Sequence, residues 1–334
     1  MKNRIKKYLP QTWIKALGDY KLKRSLLRIM KHDARRFIES SCLLDESSQA
    51  KLLSRITLRY HIIEKGLTMP NMRLGFGQEN INILCSLCNR YADSYDCSNE
   101  TLQHAVAVIQ EYRNVHNDAR IGIDENMSSA IDRLVEKVRA LPSNQTITDR
   151  KMYFSEAESP FEQFAWSRHS VRNFGKGNVR VEDIKKAVAL AQSAPSACNK
   201  QPSRVHVVTN KETIGRILSI QKGNRGFGTL ADKLLLLTVD LSCYAGIRER
   251  NLCYIDSGIY AMNLLYALHY YKIAACPLNW CDTIEDDMKI RELISLSPAE
   301  TLTMVILCGQ LPDAPFKLAL SPRLSAESRI VVHE

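Results

Sequence analysis

The sequence predicts an α+β sandwich, with a mixed central sheet flanked by helices, preceded by an all-helical N-terminal domain. Up to about residue 141, apolar residues recur at helical spacing and no convincing strand occurs. Residues 141–160 are polar with a proline at each end, which is typical of a connection. After Pro160, strand-forming runs alternate with helical segments. We therefore divide the chain into a helical domain (1–142), a linker (143–160) and a second domain (161–334).

Composition is that of a globular protein. The 334 residues correspond to about two domains, and the hydrophobic fraction is 45%. No apolar run approaches the roughly 18–20 residues of a membrane span, and the N-terminus lacks the continuous apolar stretch of a secretory signal. The ten cysteines show no disulfide-like framework. These features predict a cytoplasmic protein with reduced thiols.

One group of side chains resembles a zinc-binding pattern. It consists of Cys85, Cys88, Cys97 and His104. A second close cysteine pair is missing, and Cys85 and Cys88 lie in a helical pattern beside leucines. We interpret these cysteines as small buried hydrophobes and expect no metal site.

In the N-terminal half, residues 118–141 are predicted as one helix.

The positive charge of the chain lies near its start. Residues 1–36 contain twelve Lys or Arg and two Asp, a balance of +10 that equals the net charge of the whole chain. Apolar residues such as Trp13 and Leu17 are interleaved with these charges. Two interpretations stay open: a helix with a solvated face packed on the domain, or a basic amphipathic segment on the anionic inner face of a membrane. Nucleic acid is not expected, because no binding motif occurs.

In the second half, the pattern predicts two notable helices. Residues 181–194 form an amphipathic helical pattern, which ends at Pro195. Residues 255–271 form a helix that is apolar nearly all round. Such a helix is expected to be buried against other protein, for example a second subunit. Strands are predicted at 204–209, 233–241, 274–280 and 302–311, with 329–333 as a short fifth candidate. The run 233–241 is apolar on both faces and is expected at the centre of the sheet.

The segment RHSVR (168–172) is the first candidate binding motif. Arg168, Ser170 and Arg172 alternate, so an extended backbone would point all three to one side. Two guanidinium groups and a hydroxyl can bind a phosphate or another anion. Taken alone the motif is weak, since surface strands often alternate charge.

The segment SAPSACNKQP (193–202) is unusually polar for a helix-to-strand connection. Pro195 and Pro202 stiffen its ends, while Asn199 and Gln201 offer both donors and acceptors. Either these amides satisfy the backbone of the loop, or they bind the edge of a flat heteroaromatic ring such as a flavin. No glycine-rich phosphate loop follows an early strand, which argues against a dinucleotide-binding domain. We find no nucleophile motif that would pair with a histidine in a catalytic triad.

Taken in order, these motifs resemble the nitroreductase family of FMN enzymes. The stretch 168–208 resembles the opening of the family. Residues 256–280 resemble its central helix and the strand that follows. Residues 305–313 resemble the next strand of the family, and residues 321–331 resemble its C-terminal tail. The resemblance covers about residues 161–334 and implies an intertwined homodimer with FMN as cofactor. Residues 1–150 are similar to the helical extension of nitroreductase-like proteins found near polysaccharide genes.

The resemblance assigns cofactor contacts residue by residue. Arg168 and Ser170 would bind the phosphate and ribityl end of FMN, Arg172 would lie near N1 and O2 of the ring, and Arg323 would close on the phosphate. The remaining implied contacts are His169 within the first motif; Pro195, Ser196, Asn199 and Gln201, which would reach the flavin of the partner subunit; Asn224, which would contact the ring; and Pro277, Leu278 and Asn279, which would pass beside N5.

The sequence also departs from the family pattern. Many members have Pro-Ile-Glu-Gly beside N5, whereas this chain has PLNW, and Trp280 would narrow the pocket against generic nitroaromatic compounds. Many members of the family also have two basic residues near the C-terminus. In this chain Arg323 matches one of them, and Lys317 and Arg329 are alternatives for the other.

One segment of the helical domain, residues 59–77, has features of a binding region. His61, Glu64 and Lys65 lie within about one helical turn, Gly66 is predicted as a C-cap, and two glycines flank Phe76 in a tight loop. The segment is either a capped helix with a solvated polar face or a lid that presents these side chains to a substrate above the flavin.

We therefore expect an FMN-dependent oxidoreductase that uses NADH or NADPH to reduce a small-molecule acceptor in a ping-pong order. The subgroup resemblance adds a role in polysaccharide biosynthesis. Because the cofactor carries the chemistry, His61, Glu64, Lys65 and Trp280 are candidate substrate contacts, and no side chain is required as a universal acid. The alternatives are other flavin reactions (dehalogenation, desaturation, flavin fragmentation) and a non-enzymatic flavin-binding scaffold at the membrane surface.

Overall fold

The computed structural model describes residues 10–121, 123, 125–142, 145–280 and 283–333. Within this part of the chain, the N-terminal region is helical, as predicted. Its helices are α1 (Gln11–Ser40), α2 (Gln49–Leu67), α3 (Gln78–Ser94), α4 (Glu100–Asp118) and α5 (Glu125–Lys137). The helix predicted at 118–141 is shorter, because α4 continues to Asp118 and Arg120 then adopts a left-handed φ of 57° that interrupts helical geometry.

Helices α2 to α5 share one apolar core. Fully buried side chains from each of them meet there, among them Ile56, Leu84, Val106 and Ile131. Cys85 and Cys88 lie in this core as well, and burial raises the pKa of the Cys85 thiol to about 12. Helix α1 contributes no buried residue and lies outside the core as an exposed arm, here called the α1 arm.

Side-chain caps fix where several helices begin. The Ser48 hydroxyl accepts a hydrogen bond from the backbone N–H of Lys51, and the Asn99 side chain accepts from the first turn of α4. Asn210 caps a helix of the second half in the same way. Each such bond satisfies a backbone donor that the first turn leaves open, and so contributes about 1 kcal/mol.

The second half contains a four-stranded sheet in the order β2-β3-β5-β4. Its strands are β2 (Ser203–Val208), β3 (Lys233–Asp240), β4 (Ala274–Asn279) and β5 (Glu300–Gly309). The four predicted strands are therefore confirmed, with ends shifted by one or two residues. The prediction of a mixed sheet differs from the structure, since the pairings within it are antiparallel. Strands β3 and β4 do run parallel, but β5 lies between them.

Helices cover both faces of this sheet, which confirms the α+β sandwich. The helices of this half are α6 (Arg150–Tyr153), α7 (Phe161–Ser167), α8 (Val181–Ala191), α9 (Lys211–Ile220), α10 (Leu252–Tyr270) and α11 (Ile284–Leu293). On the central strand β3, Leu235 and Leu237 pack in the core with α8 and α10, whereas Leu234 and Leu236 pack in the opposite core with α9 and α11. The alternation follows from the two-residue period of a strand.

The segment predicted as a linker is packed against the second half. Strand β1 (Gln145–Thr148) pairs antiparallel with β6 (Phe316–Ala319), and Tyr153 and Phe154 are buried in the core beneath the sheet. Residues 143 and 144 of that segment lie outside the described residues. The candidate strand at 329–333 is not a strand in the described chain, and its apolar side chains are exposed. The partner strand of β1 lies about 170 residues away, so local sequence patterns cannot reveal the pairing.

Contacts that join the helical region to the second half within the described chain include the following three. Met69, just after α2, packs against the core that contains Leu234 and Leu236. The backbone N–H of Ser325 in the C-terminal tail donates to the Glu100 carboxylate at 3.0 Å. Arg250 donates from Nε and Nη2 to Asp33 of the α1 arm at 2.8 and 2.6 Å. No helix of the described chain has the length and apolarity to cross a membrane.

Candidate functional site

The RHSVR segment lies beside the edge strand β4. The backbone N–H of Val171 donates to the carbonyl of Ala275 at 3.0 Å, and the hydroxyl of Tyr153 donates to the carbonyl of His169 at 2.6 Å. The segment is thus fixed by the sheet on one side and by the packed 145–157 segment on the other. Tyr153 was missed at the sequence level because it lies in the polar stretch assigned to the linker.

Arg168 and Arg172 form no ion pair with any described carboxylate. The Nε atoms of both guanidinium groups are buried and have no hydrogen-bond partner within the described chain. A buried N–H donor without a partner costs about 1–3 kcal/mol, so natural structures rarely leave one in this state. The arrangement therefore fits a site that is completed by a bound anion.

Arg323 joins these two arginines from the C-terminal tail. Its Nη1 donates to the carbonyl of Ser321, and its charge acts on His169. We call the guanidinium groups of Arg168, Arg172 and Arg323 the cation cluster. Ser170 lies half-buried between the first two in sequence. The fold thus brings the guanidinium groups of three predicted cofactor contacts into one region.

A cavity of about 530 Å³ opens beside the cation cluster. This size is within the range of small-molecule and cofactor sites. It is lined by Ala165, Trp166, Arg168, His169, Met262, Tyr266, Leu320, Ser321, Pro322 and Arg323. Its wall therefore combines apolar and aromatic side chains with a few cationic groups, as cofactor pockets commonly do.

Two histidines at the site have pKa values below the ordinary value. Burial, and then the charges of Arg168 and Arg323, lower the pKa of His169. Burial, and then the charges of Arg168 and His169, lower the pKa of His269 to about 4. His269 Nε2 lies 2.8 Å from the hydroxyl of Ser167, and its Nδ1 is buried without a partner. Sequence reasoning missed His269, although a histidine in an otherwise apolar helix was a usable signal.

Strand β4 brings Pro277, Leu278 and Asn279 to the same edge of the sheet as RHSVR. Leu278 is buried, Pro277 is half-buried and Asn279 is exposed at the end of the strand. The Gln221 side chain, which the sequence did not single out, donates to the Asn279 carbonyl at 3.1 Å and fixes that end.

Two predicted contacts have local roles in the structure. The buried amide of Asn224 donates to the carbonyl oxygens of Leu218 at 2.7 Å and of Gln221, so its nitrogen is used by the adjacent turn. Trp280 packs against the core of the second half, with its indole N–H 3.4 Å from the Asp287 carboxylate. Neither side chain lines the cavity beside the cation cluster. Their contact with a flavin remains a prediction.

The polar loop at 193–202 contacts α10 rather than the cation cluster. The backbone N–H of Ala197 donates to the buried Asp256 carboxylate at 3.0 Å, and that of Gln201 donates to the Ser196 hydroxyl at 2.8 Å. The amides of Asn199 and Gln201 are exposed and lie 3.2 Å from each other. Some polar groups of the loop therefore satisfy the loop itself, and binding of a flat ring by its exposed amides stays a prediction.

The backbone of this loop is strained. Cys198, Asn199 and Gln201 have left-handed φ values of 52°, 54° and 49°. Such angles cost of order 1 kcal/mol for a residue other than glycine and concentrate at binding sites. Pro195 is exposed at the start of the loop. Whether the loop reaches a partner's flavin stays a prediction.

Helix α2 separates the three polar side chains that the sequence grouped together. Glu64 points into the helical core, where it is 1% exposed and lies 3.3 Å from His61 Nδ1 and 3.7 Å from His104 Nε2. Burial would raise the pKa of the Glu64 carboxyl, but His104 and then His61 more than offset this and lower it to about 2. Glu64 is therefore an ionised core residue. Lys65 is half-buried, and burial, then the charge of Arg172, lower its pKa.

The loop at 70–77 is fixed rather than free. Gly66 lies inside the last turn of α2, which continues to Leu67, so it is not the predicted C-cap. A Cβ atom at Gly66 would lie 2.0 Å from the ring of Phe76, which shows why glycine is needed there. The Phe76 carbonyl accepts from the Tyr112 hydroxyl at 2.8 Å, and the backbone N–H of Gly75 donates to His116 Nε2 at 2.8 Å. The segment is a packed connection, which argues against a mobile lid.

One stretch of the second half resembles a known protein family. Residues 165–225 match the profile of the Nitroreductase family. This range includes RHSVR, the polar loop and Asn224. Among curated proteins, no match was found.

Several solved structures resemble about half of this chain. A candidate NADH oxidase from Clostridium acetobutylicum is 24% identical and covers 51% of this chain and 99% of its own, with a TM-score of 0.44. A nitroreductase family protein from Streptococcus pneumoniae TIGR4 is 20% identical, with coverages of 52% and 100% and a TM-score of 0.46. A candidate nitroreductase from Desulfovibrio desulfuricans, in complex with FMN, is 19% identical, with coverages of 53% and 98% and a TM-score of 0.45.

The Glu64 carboxylate should make stability depend on pH. Its pKa is lowered from 4.5 to about 2, so its stabilisation is present above pH 4.5 and is lost as the pH falls towards 2. The shift corresponds to about 3 kcal/mol at most. At pH 7, we expect the free energy of unfolding of Glu64→Gln to be about 1–3 kcal/mol lower than that of the wild type, so that the variant unfolds at lower urea concentration. On acidification, the variant should lose less stability than the wild type.

The matched control is Glu136→Gln, an exposed glutamate on α5. The free energy of unfolding of both variants and the wild type is measured by urea titration at several pH values between 2.5 and 7. Equal pH slopes for Glu64→Gln and the wild type would contradict a structural role for this carboxylate.

Proposed function

We propose that this chain is an FMN-dependent oxidoreductase of the nitroreductase type that reduces a small acceptor with NADH or NADPH. The observation that carries the proposal is the pair of buried, unpaired guanidinium nitrogens of Arg168 and Arg172. They lie within the segment that matches the family profile. The phosphate of FMN supplies the anion that these groups lack. When bound, FMN supplies the two-electron redox chemistry.

The residues of the chain bind and orient the cofactor in this proposal. Arg168, Ser170 and Arg323 would hold the phosphate and ribityl end, and the neutral His169 would line the same wall. Arg172 would face the pyrimidine end of the ring, where a cation favours negative charge. Because these groups are positioned by β4 and Tyr153, little reorganisation is needed on binding.

NAD(P)H and the acceptor would occupy the same pocket in turn, which gives a ping-pong order. A role in polysaccharide biosynthesis rests on the resemblance of the helical region alone. Other flavin reactions, such as dehalogenation, desaturation or flavin fragmentation, would use the same cofactor contacts. Analysis of products formed from NAD(P)H and a given acceptor separates them.

Purified protein should be yellow and should release FMN on denaturation. Arg168→Met should weaken FMN binding roughly 10- to 150-fold, because a charge-assisted hydrogen bond contributes about 1.5–3 kcal/mol. Titration of apoprotein with FMN, followed by flavin fluorescence, gives the dissociation constants. Arg216→Met is the control, since Arg216 is exposed on α9 away from the cavity. A colourless protein that FMN cannot reconstitute would refute the proposal.

We further propose a homodimer that covers the exposed stripe of α10. Ile255 and Ile259 are 53% and 41% exposed, and Met262 continues the same helical face into the cavity wall. An apolar face of this kind, continuous with a ligand cavity, is typical of a protein interface. The exposed amides of Asn199 and Gln201 would then be available to the partner.

Sedimentation should give about twice the 38.0 kDa mass of one chain. Ile259→Glu should shift the mass towards the monomer and weaken FMN retention, because it places a charge in the centre of the stripe. Ile284→Glu is the control, since Ile284 is equally apolar and 77% exposed but lies on α11. A monomeric wild type that retains FMN at micromolar concentration would contradict the dimer.

The location we propose is cytoplasmic, with the basic N-terminal segment on the inner membrane face. The α1 arm supports this, because Trp13 and Leu27 are exposed among its basic residues. Residues 1–9 of the segment lie outside the described residues. Each Lys or Arg near an anionic surface contributes up to about 1 kcal/mol, which salt screens.

Co-sedimentation with phosphatidylserine vesicles should occur at low salt and should fall as salt is raised. Trp13→Ala should weaken binding, whereas Trp166→Ala, an exposed tryptophan of the second half, should not. Equal binding to neutral phosphatidylcholine vesicles, or loss of dimer mass in Trp13→Ala, would instead assign the α1 arm to another contact.

A further inference from the structure

One wall of the cavity beside the cation cluster is formed by the C-terminal tail. The tail residues that line it are Leu320, Ser321, Pro322 and Arg323. Strand β6 ends at Ala319, so the chain leaves the sheet immediately before it reaches the cavity. We call residues 320–325 the tail strap. Because Arg323 is an exposed residue of this strap, the position of its guanidinium group depends on how the strap is held.

The tail strap is fixed at its two ends. At its start, β6 pairs with β1, and Ala319 lies opposite Gln145. At its end, the backbone N–H of Ser325 donates to Oε2 of Glu100 on α4 at 3.0 Å. Since Arg323 lies two residues before Ser325, at most about 7 Å of extended backbone separates its Cα atom from this anchor. The helical region therefore holds the end of the strap that carries Arg323.

Glu100 is well suited to hold a backbone N–H group. It lies in the first turn of α4, where Asn99 caps the helix and the helix dipole favours a negative charge. A carboxylate acceptor makes the hydrogen bond to Ser325 charge-assisted, and such bonds are stronger than those between neutral groups. Glu100 and Ser325 are both half-buried, which reduces competition from water.

The strap is also bent between its two fixed ends. Ser321 has a left-handed φ of 49°, a conformation that is unfavourable for a residue other than glycine. Its carbonyl accepts a hydrogen bond from Arg323 Nη1, so the bend and the guanidinium group are joined. If the anchor at Ser325 is removed, the bend can relax, and Arg323 then leaves its place in the cavity wall.

We propose that Glu100 is a positioning residue for the cofactor: by holding Ser325, it keeps the tail strap and Arg323 at the cavity and so slows the release of FMN. The inference rests on the proposed function and gives the helical region a part in it. Glu100 does not line the cavity, so it acts through the strap alone.

The dissociation rate of FMN from the holoprotein tests this role, measured by the recovery of flavin fluorescence on dilution. Glu100→Ala should raise the rate about tenfold, because it removes a charged acceptor, and Glu100→Gln should raise it less, because its amide oxygen can still accept. Glu79→Ala is the matched control, since Glu79 is an exposed glutamate in the first turn of α3. Equal rates in Glu100→Ala and the wild type would refute the proposal.

A double-mutant cycle shows whether Glu100 acts through Arg323. In an Arg323→Met background there is no guanidinium group to position, so Glu100→Ala should then change the dissociation rate of FMN little. A glutamate that merely stabilised the fold would raise the rate by the same factor in both backgrounds. An equal factor would therefore overturn the proposed role.

A second measurement requires no cofactor. Hydrogen–deuterium exchange of a peptide that contains the Ser325 amide should be faster in Glu100→Ala than in the wild type or Glu79→Ala, because that amide loses its acceptor. Melting temperatures report whether each variant is folded. If Glu100→Ala is not, Ser325→Pro removes the donor instead and should also speed the release of FMN.

The outcomes separate this inference from the proposed function. If Glu100→Ala exchanges faster but releases FMN at the rate of the wild type, the strap does not retain the cofactor, and the inference fails while the flavin proposal stands. If exchange is unchanged, the anchor itself is refuted. If the wild type does not bind FMN at all, the proposed function fails and the role in cofactor release fails with it, whereas exchange still decides whether Glu100 fixes the strap.

Discussion

The buried, unpartnered Nε atoms of Arg168 and Arg172 are the constraint on which the rest of the site depends. Each buried donor without a partner costs about 1–3 kcal/mol, which other contacts must offset. The stabilisation comes from the sheet, since the RHSVR segment bonds to β4 and contacts Tyr153, and both belong to the same apolar core. The fold thus positions a set of charges that fits a bound anion.

The helical region contributes to this arrangement through one well-packed helix. Glu64 and Lys65 are adjacent in sequence, yet α2 buries the first in the helical core and leaves the second half-buried. The ionised Glu64 between His61 and His104 links α2 to α4 and so fixes the rotation of the helix. The contact of Phe76 with Gly66 fixes the loop that follows. The position of Lys65 is therefore determined by core packing and does not depend on a moving lid.

Three further features of the described chain lie on its surface. The outer stripe of α10 is apolar and exposed, the polar loop at 193–202 holds strained, exposed amides, and the α1 arm buries none of its residues. Exposed apolar surface and backbone strain both carry a cost in free energy, which is offset when another molecule covers them. All three lie outside the packed cores, so each can meet a partner without rearranging the fold.

The sequence by itself determined the element types and the chemistry. Helical spacing and strand-forming runs depend on residues close in the chain, and the structure confirms the helical N-terminal region and the four main strands. Tertiary structure alone decided which groups meet. The pairing of β1 with β6, the contacts of Tyr153 and His269, the local bonds of Asn224 and the burial of Glu64 all depend on partners far away in sequence or on packing. Local patterns fix the period of an element, whereas its packing fixes which face meets which neighbour.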